Sequence, residues 1–334
     1  MTLSRQSIQS ILQTVPSLNV LVIGDAMLDH YIFGDAERIS PEAPVPVVNI
    51  ERETCRLGGA CNVALNLKSL GAHVVFLGTV GTDEAGCTLQ RLLKEADIEF
   101  CNENFRSDVQ TIVKTRVIAR HQQLCRLDRE KKFSEASVAA VIAQAEAFLQ
   151  QNTVSAVLVS DYAKGTVTQA LLGKLVELKK RHSFFLAVDP KPKNTLCYNG
   201  IDLLKPNRAE ALQLAHRSIE SNKEFPLGVV AKEIFNRYFV RYLAVTLGEQ
   251  GIALAENGKD IQTVPAVAKE VFDVSGAGDT ALAALTVAFC AKHTPLEAIA
   301  FANLLSGIVI RKVGTAMTTP EEILAYASKT GSVS

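Results

Sequence analysis

The sequence predicts a doubly wound α/β fold: a mostly parallel sheet between helical layers, with a small second β-sheet acting as a lid. Three observations predict it. Short apolar, β-branched runs alternate with longer amphipathic stretches. Those runs are almost continuously apolar, as strands buried on both faces are. Two segments break the alternation, and both look like half-exposed strands.

In chain order, strands are expected at 19–25 (NVLVIGD), 74–81 (VVFLGTVG), 155–161 (SAVLVSD), 184–190 (FFLAVDP), 201–207 (IDLLKPN) and 242–248 (YLAVTLG). Residues 60–70, 84–96, 134–150, 167–181 and 227–238 have the length and periodicity of crossover helices. The segment 31–50 carries three prolines and then an alternating tail. Residues 109–127 alternate apolar and polar side chains, the pattern of antiparallel strands with one wet face. Together these two inserts should form the lid. No internal repeat or linker interrupts the chain, so one domain over residues 1–334 is expected. A polar residue or glycine stands where five of the strands stop: Asp25, Asp161, Asp189, Asn207 and Gly248. Ligands of open parallel sheets bind outside those carboxyl ends.

Composition narrows the partners. Lys plus Arg and Asp plus Glu are 35 each, so no overall field draws nucleic acid or an anionic membrane. Apolar residues at 48% and charged residues at 21% fit an ordinary globular enzyme. The seven cysteines are scattered without metal-ligand spacing, which suggests reduced thiols. No apolar core of a signal peptide follows the N-terminus, and no apolar run approaches the ~18 residues that span a bilayer. A cytoplasmic protein is expected.

The stretch Val274–Leu282, VSGAGDTAL, carries the chemistry. It fits the loose dinucleotide fingerprint G-x-G-x-x-A, with Glu297 about 20 residues on. That fingerprint needs a second strand after its helix, whereas here 279–292 is followed by another helical segment, 295–313. Glu297 then falls in a first helical turn, where an acidic group favours the macrodipole. What the turn offers is a row of backbone N–H groups at a helix start, which binds anions without a lysine. Asp279 among them can take a proton from a hydroxyl. An anion hole with a base beside it suits phosphoryl transfer to an alcohol. No G-x-x-x-x-G-K-[ST] occurs, which excludes a P-loop kinase.

DVSGAGDT resembles the second signature of the ribokinase (phosphofructokinase B) sugar-kinase family, and LGGACNVALNLKSLGA resembles its first. The segments RISPEAPVPVV, RVIARHQQLCRLD, SDYAKG, DPK and KPNRAE narrow the resemblance to the branch that phosphorylates D-glycero-β-D-manno-heptose 7-phosphate at C1. The match runs from about residue 18 to 325. It implies a ribokinase-like three-layer fold, ATP and Mg²⁺ as cofactors, and a homodimer formed through the lid. It also implies that Asp279 is the base and that Gly276, Ala277 and Gly278 form the anion hole. Asp25, Asp29, Gly58, Gly59 and Asn62 would hold sugar hydroxyls. Asn207 and Glu210 would orient Mg²⁺ and the phosphates, Glu210 through water. Thr246, Gly248 and Asn303 would line the nucleotide pocket, with Gly307 and Gly314 letting backbone approach the adenosine.

Asn207 and Glu210 also fit an N-cap and its capping-box partner, and both roles can hold. Some of four cations are expected to bind the sugar phosphate: Arg116 and Arg120, on one face of a lid strand by their even spacing, and Lys164 and Lys191, after strand ends. Asp161 is a further rim residue. Ala26, Cys61, His121 and Ser275 depart from the family pattern, and none removes a group assigned a step. No H-x-G-H nucleotidyltransferase motif is present, so no nucleotidyltransferase domain is expected in this chain, which is either a monofunctional kinase or a truncated form of a longer protein. Two alternatives stay open: a kinase for another sugar, and a catalytically silent sugar-phosphate-binding protein.

Overall fold

The computed structural model describes residues 3–100, 105–120, 122–131, 133–193, 196–218, 225–267, 272–312 and 314–330. His121 and Cys101 lie outside them. After helix α1 (Arg5–Thr14) comes strand β1 (Asn19–Gly24), then a long antiparallel pair, β2 (Ala26–Ile39) and β3 (Pro46–Gly59). There follow α2 (Ala60–Ser69), β4 (His73–Leu77), β5 (Val80–Gly81), α3 (Glu84–Glu95), β6 (Glu99–Phe100) and β7 (Phe105–Arg106). A hairpin, β8 (Ile112–Ala119) and β9 (Gln122–Arg129), leads to α4 (Glu135–Gln151). The β–α alternation resumes with β10 (Ala156–Ser160), α5 (Gln169–His182) and β11 (Phe185–Asp189). It continues through β12 (Leu203–Leu204), α6 (Arg208–Leu214), α7 (Leu227–Arg237) and β13 (Tyr242–Thr246). A second hairpin, β14 (Ile252–Glu256) and β15 (Lys259–Val264), precedes α8 (Ala277–Cys290), α9 (Pro295–Val309) and α10 (Pro320–Thr330).

The main sheet runs β15-β14-β13-β12-β11-β10-β1-β4-β6. Its strands from β6 to β13 pair in parallel, and β14 and β15 add antiparallel. β1 shows why three layers form. Val20 and Val22 enter one apolar core, with the α2, α8 and α9 side chains, while Leu21 and Ile23 enter the other, with α4 and α5. Residues that alternate across a strand thus seed two cores. Chain order reverses at β1, which has β4 on one side and β10 on the other. That is the switch point where such sheets open a crevice.

The lid is a four-stranded sheet in the order β3-β2-β8-β9, with β2 and β8 parallel. Its strands reach beyond the expected inserts, to 26–59 and 112–129, because the period-two alternation continues there in charged residues. β2 and β3 stay in register through Asp29↔Arg56 and Phe33↔Arg52. The expected strand at 201–207 shrinks to β12, since Pro206 has no N–H for a ladder. The β14–β15 hairpin was not expected. Its turn, Asn257 and Gly258, has both residues at positive φ (47° and 75°), as a tight hairpin turn requires.

Among the described residues no strand follows α8. Thr294 and Glu297 instead form a capping box at the start of α9. Burial works against the ionised Glu297, but the hydroxyls of Ser7 and Thr294 and the Thr294 N–H outweigh it and lower its carboxyl to about 2. The dinucleotide fingerprint is therefore only a resemblance of letters. Among the described residues no helix is long and apolar enough to cross a membrane, and Cys55, Cys61, Cys87, Cys125, Cys197 and Cys290 are free thiols.

Candidate active site

The start of α8 lies against α2 and the carboxyl ends of β10 to β12. Gly276 is its N-cap at φ 80°, a conformation that costs a side-chain-bearing residue ~1–2 kcal/mol. A Cβ there would stand 2.8 Å from Asn62 Nδ2. Ala277 donates its N–H to Val274 O at 3.2 Å, so the first-turn donors that face an incoming anion are those of Gly278 and Asp279.

Asp279 follows in the same turn, 5% exposed. Its Oδ2 accepts from Asn62 Nδ2 at 2.7 Å and its Oδ1 from the Tyr162 hydroxyl at 2.9 Å. Asn66 Nδ2 donates to the Asn62 main-chain oxygen at 2.8 Å and to its Oδ1 at 3.5 Å, while Thr280 Oγ1 donates to Asn66 Oδ1 at 2.8 Å. Burial raises the Asp279 carboxyl above the ordinary carboxylate range, and Asn62, Tyr162 and the charge of Lys205 oppose that rise. Lys205 is 2% exposed, pairs with Asp189 Oδ2 at 2.9 Å, and holds Nζ 3.5 Å from where a Gly278 Cβ would be. Burial pushes Asp189 up to about 7 against that lysine's pull, and burial also pushes Asp161 up to about 7.

Under the lid lies a cleft of about 1070 Å³, with Arg52, Arg56, Arg116 and Arg120 on one wall and Phe272, Asp273 and Ser275 on the other. Arg52 lies 4.3 Å over the Phe33 ring, and Arg56 and Arg116 lie 5.4 and 5.2 Å from the Tyr31 ring. Aromatic faces hold guanidinium planes flat while leaving their edges for an anion. Arg116 also bonds Asp29 Oδ1 at 2.6 Å. A Cβ on Gly58 would stand 2.5 Å from Asp29 Oδ2, so this position admits only glycine beside that carboxylate. Gly59, at φ 58°, turns the chain from β3 into α2 and leaves no room for a Cβ, which would meet Asp25 O at 2.4 Å.

Several expected site residues already have protein partners. Asp25 is fully buried, and its carboxylate accepts three backbone N–H groups, from Tyr162, Lys164 and Thr166, at 2.9–3.0 Å. Those donors all belong to the loop that follows β10. Arg120 sits in the β8–β9 turn, not in the strand, and bonds Asp35 at 2.6 Å and Glu37 at 3.5 Å. Lys164 pairs with Glu130, and Lys191 with Glu210 at 2.7 Å. Each of these three cations already has an acidic partner. Asp161 accepts the Ala163 N–H at 2.7 Å, at the base of the loop.

Asn207 and Glu210 form the capping box of α6, and Asn207 bridges to Thr246 between β12 and β13. Gly248, at φ 63°, borders open space at the same edge. Asn303 gives its amide to Val264 O at 2.6 Å, and Gly307 is buried within α9. Gly314 lies beside lid residues. Its N–H bonds Asp273 Oδ2 at 2.8 Å, and a Cβ would meet Arg56 and the Tyr31 hydroxyl. Burial works against the Asp273 anion, yet the N–H groups of Ser275 and Gly314 keep its carboxyl below the usual range.

Direct metal ligation does not fit Glu210, whose oxygens already accept Lys191 Nζ and the Asn207 N–H (2.7 and 2.9 Å). No group of three His, Cys, Asp or Glu side chains among the described residues can hold a metal. The donors suit Mg²⁺ carried on phosphate oxygens and reached through water.

Sequence reasoning did not single out Tyr162, Lys205, Arg52 or Arg56. Lys205 had a signal, a lysine inside an otherwise apolar strand end. The arginines had one too, alternating with Glu51 and Glu53 along β3.

A helix start with a glycine N-cap, a buried carboxylate and an arginine-lined cleft under a β-sheet lid suit phosphoryl transfer to an alcohol. Residues 17–322 match the model of the pfkB family carbohydrate kinases, and the chain belongs to that family. It is a sugar kinase. It is 40% identical over 315 residues to the bifunctional protein HldE of Campylobacter fetus, covering 93% of this chain and 67% of that protein. Its identity to HldE of Methylococcus capsulatus is 42% over 304 residues, covering 91% and 63%. The chain thus spans about two thirds of the length of these curated relatives. Phosphofructokinase-2 from Escherichia coli, in complex with substrates and products, superposes with a TM-score of 0.73 at 19% identity, covering 94% of this chain and 99% of that one. Arabidopsis thaliana ribokinase complexed with ribose and ATP gives 0.68 at 18% identity, covering 92% and 98%.

Proposed function

We propose that the enzyme transfers the γ-phosphoryl group of ATP to the C1 hydroxyl of D-glycero-β-D-manno-heptose 7-phosphate. The product is the 1,7-bisphosphate, on the route to ADP-heptose and lipopolysaccharide core, formed by a single kinase domain over residues 1–334. The observation that carries this reading is the cleft under the lid, with arginines on aromatic platforms along one wall and Ser275, which leads into the glycine turn and Asp279, on the other. A sugar with a phosphate at its far end matches that layout. Asp279 takes the C1 hydroxyl proton as the oxygen attacks phosphorus, the O1–P bond forms and the bond to ADP breaks. The N–H groups at the start of α8 and the Lys205 ammonium face the charge that builds on the transferring group. Asp29 and Asn62 orient sugar hydroxyls. Asn207, Glu210, Thr246 and Gly248 border the nucleotide, with Asn303 and Gly307 behind them. Bound Mg²⁺ supplies charge neutralisation of the phosphate oxygens.

The phosphate end is assigned to Arg52, Arg56 and Arg116, which line the cleft with their guanidinium groups over the Phe33 and Tyr31 rings. Ile39, Ile50, Leu124 and Leu127 are exposed on the lid, which supports a homodimer joined there. An ADP-release assay over a panel of sugars and sugar phosphates tests the assignment. Arg52→Ala with Arg56→Ala should raise KM for heptose 7-phosphate by about 10²-fold, the loss of two charge-assisted contacts at ~1.5 kcal/mol each. KM for ATP should stay within about twofold. An unchanged sugar-phosphate KM, or turnover confined to unphosphorylated sugars, overturns it.

A further inference from the structure

Both oxygens of the Asp279 carboxylate have a protein donor. One is Asn62, part of the expected signature. The other is Tyr162, from the loop that follows β10, 2.9 Å from Oδ1. That loop is shaped by a second carboxylate. Ala163 and Gly165 both have positive φ, 57° and 117°, and the main-chain N–H groups of residues 162, 164 and 166 converge on Asp25. Backbone in such a conformation forms a nest for an anion, and here the anion is a side chain of the neighbouring strand end. Asp161 holds the Ala163 N–H from the other side. The Tyr162 ring has Lys114 of lid strand β8 at 5.6 Å from its centre, so the residue joins the lid to the base.

We propose that Tyr162 is a positioning residue for the base and that Asp25 acts through it. The clamped loop offers its phenol O–H to Asp279, fixing the carboxylate's rotation and favouring its ionised form. One lone pair on each oxygen stays open to the acceptor hydroxyl. This inference rests on Asp279 being the base. It also gives the fully buried Asp25 a role through the loop that it clamps.

The charged and titratable groups around Asp279 are Asp29 on β2, Lys205 ahead of α6, Asp189 at the end of β11, and Tyr162 itself. Burial, with the Asp279 charge, pushes the Tyr162 phenol well above its ordinary range, so it remains a donor throughout an assay. Asp189, raised by burial, is present in the parent and in the variant alike. A donor to the ionised form lowers a carboxyl pKa, so losing it moves the acid limb of activity to higher pH.

The test is the pH dependence of kcat and KM for the full chain and its Tyr162→Phe variant, which keeps the ring under Lys114. The acid limb of kcat should rise by about one pH unit. kcat should fall about tenfold on that limb and recover toward the parent value at high pH, with sugar KM within about twofold. Asp25→Asn, which sets an amide donor against the three N–H groups, should shift the limb in the same direction. Should that variant fail to fold, Tyr162→Phe decides alone. An unmoved acid limb, a loss equal at all pH values, a change in KM alone, or a faster enzyme would each overturn the proposal. Asp279→Asn that keeps full turnover would instead remove the assignment of the base on which it rests.

Discussion

Asp279→Asn yields a folded protein whose kcat for sugar phosphorylation has dropped by on the order of 10³-fold or more. The substitution keeps the shape and removes the proton acceptor. Asparagine in this site can still accept from Asn62 or from Tyr162 with its oxygen, but its amide meets whichever donor remains. Stability should change little or rise, because a buried carboxylate already raised above its ordinary range is a charge the fold holds at a cost. Thermal unfolding beside ADP release checks both halves. A catalytically silent binding protein would show no turnover in the parent chain and no difference between the two.

Gly276→Ala should lower kcat by about 10²-fold, comparable to the loss of an oxyanion-hole donor. Two effects act together. Any side chain at φ 80° costs ~1–2 kcal/mol, so the start of α8 relaxes away from the left-handed region and its N–H groups turn. The new methyl also stands 2.8 Å from Asn62 Nδ2, displacing the amide that holds Asp279. Gly173→Ala is the control. It lies inside α5 with open space where its Cβ would go, so alanine should stabilise that helix by ~0.5–1 kcal/mol and leave kcat unchanged. Paired unfolding and rate measurements separate strain from chemistry. A Gly276→Ala enzyme with normal kcat would mean that the turn does not face the reacting phosphoryl group.

What could be read in advance follows the range of each interaction. Continuous apolar runs identified β1, β10, β11 and β13, because burial on both faces is written into the strand itself. The glycine turn into α8 was legible for the same reason, being set by five adjacent residues. The partners of Asp25 were not legible, because they are the N–H groups of Tyr162, Lys164 and Thr166. A strand-end aspartate looks the same whether it faces a ligand or a backbone nest. Arg120 shows the local version of that limit. Its even spacing from Arg116 placed both on one face, but the hairpin turns at residue 120 and takes it to Asp35. The neighbours of Gly314, Arg56 and Tyr31, come from the lid strands and no local pattern announces them. The β14–β15 hairpin was missed despite its Asn257-Gly258 turn, a purely local signal that alternation in β15 does little to reinforce.

The most direct test of the central claim is a phosphorus NMR spectrum of the full chain turning over ATP and Mg²⁺ with D-glycero-β-D-manno-heptose 7-phosphate. The account predicts ADP and a new anomeric phosphate resonance growing in equal amounts, while the 7-phosphate resonance persists. ADP without a new sugar phosphate, or a phosphate on a carbon other than C1, would contradict it.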